Sequence, residues 1–194
     1  MPKNRLRERL RKRETSCGLW VTLESATVTE IAVTLGLDWV CIDMEHGHLG
    51  FREVMEHVRV VRGSPTTALV RVPEIGQSSI KRALDIGARG VRGVSGERAV
   101  QWGLGLQEYL SDADEETLII PIIETREAVE EIDALLEAPG LEAIFFGPAD
   151  LSASHGHLGE WEGPGMAERI LEIRGKAAAK VCRAAARLRW LLNV

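Results

Sequence analysis

From Cys17 onward, short apolar runs alternate with stretches of helical period, and this rhythm constrains the fold more than any other feature of the chain. "GLWVTL", "LDWVCIDMEHG", "TALVRVP", "TLIIPIIET" and "LEAIFFGPADLS" read as strands. Between them, "TVTEIAVTLG", "REVMEHVRVVR", "SIKRALDIGA" and "REAVEEIDALLEA" space their apolar residues as helices do. The first of these places Val28, Ile31, Ala32 and Leu35 on one face, with Thr27 and Glu30 at capping-box spacing and Gly36 as a C-terminal stop. Val54, Val58 and Val61 form the inward face of the second, and Val129, Ile132, Leu135 and Leu136 that of the last. Parallel strands joined by crossover helices are what such a pattern predicts.

The spacing refines this. The clear strands end near His46, Arg71, Glu124 and Asp150; the steps of 25 residues from 46 to 71 and 26 from 124 to 150 each match one strand–helix unit, and the 53 residues from 71 to 124 leave room for two. A weak strand is expected near Val91 to Val94 in "RGVRGVSG", followed by the mixed segment "ERAVQWGLGLQEYL". With 194 residues the chain is shorter than the about 250 of a closed eight-unit barrel. The expected fold class is therefore α/β: an incomplete (β/α)8 TIM-type barrel, parallel strands with outer helices, about six of the eight strands present. Residues 1–194 read as a single partial domain, opened by a basic helix over 1–16 with Leu6 and Leu10 on its apolar stripe, and closed by an arginine- and alanine-rich helical tail over 177–194.

A net charge of −5 argues against a general polyanion binder, so nucleic acid is not an expected partner. No run approaches a membrane span, and the basic N-terminus has no apolar stretch behind it, so a soluble, unexported protein is expected. Cys17, Cys41 and Cys182 are dispersed without a C-x-x-C pair, which fits the cytoplasm.

In parallel α/β folds, function gathers at the carboxyl ends of the strands. Here those ends carry Glu45 and His46, Arg71, Glu124, and Asp150. Two carboxylates from different strands, Glu124 and Asp150, suit Mg²⁺ or a similar hard divalent ion whose remaining ligands come from water and a chelating 2-keto acid. Arg71 can stabilise an enolate oxygen, and His46 supplies the side-chain type most used for proton transfer near neutral pH. The string "HGHLG" occurs at His46 to Gly50 and again at His155 to Gly159, but in different registers relative to the strands. It therefore reads as an accident, leaving His48 as a loop neighbour of the site and His155 and His157 as loop residues.

"WVCIDMEHG", "ALVRVP", "ALDIGARG", "IIET" and "FFGPADLSAS", in this order, resemble the HpcH/HpaI family of metal-dependent class II aldolases. The resemblance implies a pyruvate-forming retro-aldol cleavage of a 2-keto-3-deoxy (4-hydroxy-2-oxo) acid. It places the divalent ion (Mg²⁺, Mn²⁺ or Co²⁺) on Glu124 and Asp150, makes His46 the proton acceptor with Asp85 raising its basicity, gives Arg71 the transition state, and puts the pyruvate unit at Ala149 and Asp150. It also implies a homo-oligomer.

The chain departs from the family pattern in three ways. Ile122 stands where the family often has a substrate-contacting Gln, "GARGVRGVSG" jumps a strand–helix unit, and the last two strands are missing. Three other readings were weighed. A zinc hydrolase of the amidohydrolase type would use the H-x-H of His46 and His48 but needs more His or Lys at later strand ends, where Glu and Asp stand. A related acyl-CoA lyase is disfavoured by "EHG", and the third is a catalytically impaired fragment acting only through oligomer assembly.

Overall fold

Glycine-poor, β-branched runs pair side by side in the first part of the chain: β1 (Gly18–Val21), β2 (Trp39–Asp43) and β3 (Thr67–Arg71) form a parallel sheet in the order β1-β2-β3. Trp39 pairs with Gly18 on one side and Thr67 on the other, and Asp43 at the end of β2 pairs with Arg71. The computed structural model describes residues 3–89, 116–158, 160 and 163–180. It falls into two compact units, Met1–Arg9 with Ser16–Leu118 and Leu10–Thr15 with Ile119–Val194. The weak strand expected near Val91 to Val94 and the tail beyond Lys180 lie outside the described residues.

In the first unit the strands alternate with α2 (Thr27–Thr34), α3 (Phe51–Val61) and α4 (Gln77–Ile86), preceded by α1 (Arg5–Arg11). As the middle strand, β2 is buried along its whole length, which is why it reads as a continuous apolar run rather than an alternating one. Val54, Val58 and Val61 of α3 pack with Val21, Val40 and Ile42 in one apolar cluster, and Leu6 and Leu10 of α1 are buried as their spacing predicts. Gly87 ends α4 in the left-handed conformation at φ +107°, where a side chain would be strained.

Helix α2 departs from its sequence reading. Ala32 is buried and Val28 packs on the core as read, but Ile31 and Leu35 are 54% and 71% exposed and Thr29 is buried instead. The helix is rotated because Thr29 has a polar partner inside: its Oγ1 lies 2.7 Å from Nδ1 of His57, a fully buried residue of α3. The Thr27–Glu30 capping box also fails to form; Ala26 is the N-cap and no side chain caps the helix.

Burial lowers the His57 pKa below the ordinary imidazole value, against the smaller opposing pull of the Glu24 and Leu23 backbone and of Glu53. As pH falls below about 6.5, the unfolded chain takes up a proton at this position that the folded chain refuses, so the folded state loses stability. The melting temperature is expected to fall between pH 7 and pH 5, and to fall less in His57→Gln. An equal fall in both would show that other groups set the pH dependence.

The second unit pairs two short parallel strands, β4 (Ile122–Ile123) and β5 (Phe145–Phe146), in the register Ile122 to Phe145. Around them lie α5 (Arg126–Glu130), α6 (Ile132–Leu135), α7 (Pro148–Ser154) and α8 (Met166–Lys180). The predicted long helix is thus broken at Glu131, although Val129, Ile132 and Leu136 face inward as read, joining Ile123, Ile144, Leu151 and Ile173 in the core. "FFGPADLS" is not one strand. Pro148 cannot donate to a ladder, and its fixed φ suits the first turn of a helix, so the chain leaves β5 at Phe146 and starts α7. Asp150 consequently stands in the first turn of a helix rather than at a strand end.

The parallel α/β character holds, with five strands in sheets of three and two among the described residues and no closed barrel. No helix among them is long and apolar enough to cross a membrane.

Candidate active site

The carboxyl ends of β1, β2 and β3 meet around Asp43. Its backbone sits in a fully buried strand, so its carboxylate must find partners inside the protein. Oδ2 accepts the indole N–H of Trp20 from β1 at 2.7 Å and lies 3.7 Å from Nη1 of Arg71 on β3. Oδ1 accepts the backbone N–H groups of Glu45 and His46, at 2.9 and 3.1 Å. One carboxylate thus ties together the ends of three strands and the start of the loop that carries His46.

Burial alone would raise the Asp43 pKa, but the Trp20 N–H, the two backbone donors and the Arg71 charge outweigh it and hold the group below its ordinary value. It is an anion throughout the neutral range. Arg71 is gripped from its other side as well, with Nε 2.5 Å from Oε2 of Glu45, while its guanidinium sits 6.0 Å from the centre of the Trp20 ring. The Met44 N–H donates to the Arg71 carbonyl at 3.0 Å, extending the β2–β3 ladder by one bond into the loop.

Gly47 completes that loop because nothing larger fits: an added Cβ would lie 2.4 Å from both the Asp43 carbonyl oxygen and a Leu49 methyl. His46 itself is exposed, as is His48. Cys41, one pleat before Asp43, is no nucleophile, since burial and the neighbouring Asp43 charge push its thiol far up.

Glu124 follows β4 directly in the second unit, and Thr125 caps α5 by accepting the Ala128 N–H at 3.2 Å. Glu124 packs on Gly147, the N-cap of α7; a Cβ there would come within 2.9 Å of Glu124 Oε2. Glycine is needed here for close approach, so that the carboxylate can lie over the β5–α7 turn. Ala149 and Asp150 are exposed in the first turn of α7. Both Glu124 and Asp150 are carboxylates, the donor type that a hard divalent ion takes, and no group of three or more His, Cys, Asp or Glu is placed to hold a metal ion among the described residues. Such an ion would complete its shell with oxygens from water and substrate.

Not every residue singled out in the sequence joins these groups. Asp85 lies near the end of α4, which runs back toward the start of β3, where the Arg89 N–H donates to Ala68 O at 3.1 Å. It is therefore toward the end of β3 opposite Arg71, and its Oδ1 is buried without a hydrogen-bond partner among the described residues. No hydrogen bond or ion pair joins it to His46 among the described residues. His155 ends α7 with Nδ1 2.9 Å from the Leu151 carbonyl oxygen, and His157 packs beside Gly163. Ile122 is a strand residue of β4.

Asp43 and Trp20 were missed in the sequence. The available signal was a carboxylate closing an all-apolar strand, since such a charge must be paired.

The chain belongs to the HpcH/HpaI aldolase/citrate lyase family, whose model matches residues 16–189. It is 33% identical over 198 residues to the hydroxypyruvate/pyruvate aldolase of Sagittula stellata, covering 89% of this chain and 78% of that protein. It is 32% identical to the 2-keto-3-deoxy-L-rhamnonate aldolase of Klebsiella pneumoniae, covering 87% of this chain and 73% of the relative. Its fold is similar to the crystal structure of a family protein from Burkholderia cenocepacia, with a TM-score of 0.83 at 31% identity, covering 92% of this chain and 82% of that one. Family and relatives alike are named as aldolases or lyases.

Proposed function

We propose that this chain is a divalent-metal-dependent aldolase that cleaves a 4-hydroxy-2-oxo acid of the 2-keto-3-deoxy sugar acid type to pyruvate and an aldehyde. The observation that carries the reading is the Asp43 cluster, which fixes Arg71 and the His46 loop at the ends of three adjacent strands in a chain whose relatives are aldolases.

The residue roles follow from the chemistry. The His46 imidazole takes the proton of the C4 hydroxyl. The C3–C4 electron pair then moves to C3 as the aldehyde leaves, and the Arg71 guanidinium faces the negative charge that builds on the C2 oxygen. Protonation at C3 yields pyruvate. Glu124 and Asp150 would hold the divalent ion, and what it supplies when bound is Lewis-acid polarisation of the 2-keto oxygen. Ala149 and Asp150, at the start of α7, border the pyruvate unit in this reading.

The family resemblance gives Asp85 the part of raising His46 basicity. Within one copy of the chain, the carboxylate bonded to the His46 segment is Asp43, through the backbone. We read Asp43 as the positioning residue.

The reading extends to a homo-oligomer in the cytoplasm. The compartment is supported by the free thiols of Cys17 and Cys41, the oligomer by the resemblance alone. The test is pyruvate release from 2-keto-3-deoxy-L-rhamnonate, followed by coupling to NADH oxidation.

A further inference from the structure

A cavity of about 550 Å³ opens in the first unit at the amino ends of its strands, beside Thr66 to Ala68 at the start of β3 and so at the far end of that strand from Arg71. Lys3, Arg5, Arg62 and Arg89 line it, with Glu8 as the one carboxylate among the described residues of its wall. No ion pair engages Lys3, Arg5 or Arg62 among the described residues, and Glu116 is the carboxylate whose charge acts on Arg89 there.

Arg89 carries the argument furthest. Its backbone is fixed at both ends, the N–H on Ala68 O at 3.1 Å and the carbonyl on the Leu118 N–H at 2.9 Å. Its side chain is half-buried, and Nη1 is buried with no hydrogen-bond partner among the described residues. A charged donor left unpaired away from water is costly, and an arginine so placed is matched by an oxyanion.

A simpler account of the cations is that they offset the carbonyl ends of α3 and α4, which both point toward this cavity. Those ends carry only about half a negative charge each, and together with Glu8 and Glu116 they still leave the four cations in excess among the described residues. The volume is that of an ordinary small-molecule site.

We infer that this cavity binds a small multivalent oxyanion, a phosphate or polycarboxylate group, between Arg89, Arg62 and the Lys3–Arg5 segment, separately from the candidate active site.

Thermal melting tests this in metal-free buffer at constant ionic strength, with inorganic pyrophosphate and citrate as separate probes. The expected result is a saturable rise in melting temperature with at least one probe; the probe that gives it identifies the phosphate or the carboxylate class. The rise should vanish in Arg89→Met and persist in Arg59→Met, an exposed arginine outside the cavity. If Arg89→Met fails to fold, the double variant Lys3→Ala with Arg62→Ala removes exposed side chains only and should weaken the apparent affinity about 10-fold, one charge-assisted bond being worth that much.

Absence of a saturable rise with both probes, or its survival in these variants, overturns the inference. So does loss of the rise in Arg71→Ala, which would put the anion in the candidate active site. The readout is stability, so aldolase activity can fail while this site stands, and the reverse.

Discussion

Replacing Asp43 by Asn is expected to lower kcat by about 100-fold while leaving the shape of the side chain unchanged, the loss typical of a small misplacement of catalytic groups. Four donors converge on the two Asp43 oxygens, from Trp20, Glu45, His46 and Arg71. An amide offers one oxygen and one NH₂, so whichever way it turns, an N–H meets another donor. The indole loses its acceptor and Arg71 the second of its two carboxylates, or the loop carrying His46 loses its anchor.

The same change leaves buried polar groups unsatisfied and should cost about 2 kcal/mol of folding stability, read from urea denaturation. It also alters the acid limb. In the native chain Asp43 is held below the ordinary carboxyl value, so its stabilisation is complete above that value and drains away as pH falls toward the lowered one. Asp43→Asn should therefore show a flatter loss of stability below about pH 4. Activity within twofold of the native chain would show that Asp43 does not position the reacting groups.

Glu124→Gln and Asp150→Asn are expected to act differently. In the proposed site each replaces an anionic donor by a neutral amide of the same size, and pyruvate release should drop on the order of 1,000-fold, several kcal/mol of barrier, with apparent affinity for Mn²⁺ weakened in parallel. The exposed Asp150 contributes little to folding, so the metal-free melting temperature of Asp150→Asn should stay at the native value. Asp43→Asn should show the reverse pattern, with Mn²⁺ affinity retained and stability lost. Calorimetric titration with Mn²⁺ alongside thermal melting separates the two. If both carboxylate variants bind Mn²⁺ as the native chain does, the ion is held elsewhere.

How much of this was legible in the sequence depended on how strictly each segment obeyed one period. β2, β3 and α3 did so, and their bounds and buried faces followed; Val54, Val58 and Val61 are buried as spaced. α2 did not, because a threonine on its surface-reading side had a buried histidine as partner 28 residues away, a pairing no local pattern encodes. The apolar run through Phe145 and Phe146 was clear, but the switch to helix at Pro148 was hidden by the apolar residues that continue past it.

The positions of Arg71 at the end of β3 and of Glu124 directly after β4 were legible because polar residues ending apolar runs stand out. Asp43 was not, since a carboxylate within "WVCIDME" looks like the strand's last polar residue rather than its hub, and Trp20 looks like core until its N–H is given a partner. The surroundings of Asp85 could not be read at all, because they depend on the direction in which α4 returns along β3.

The central claim, that this chain is a metal-dependent pyruvate-forming aldolase, is tested most directly by stripping the purified protein with EDTA and following pyruvate release from 2-keto-3-deoxy-L-rhamnonate and 4-hydroxy-2-oxovalerate. Mg²⁺, Mn²⁺ or Co²⁺ is then added back. The account predicts no release above the uncatalysed rate from the stripped protein, recovery on return of at least one ion, and no recovery in Glu124→Ala. Release that is indifferent to EDTA, or none with any of the three ions on either substrate, would contradict it.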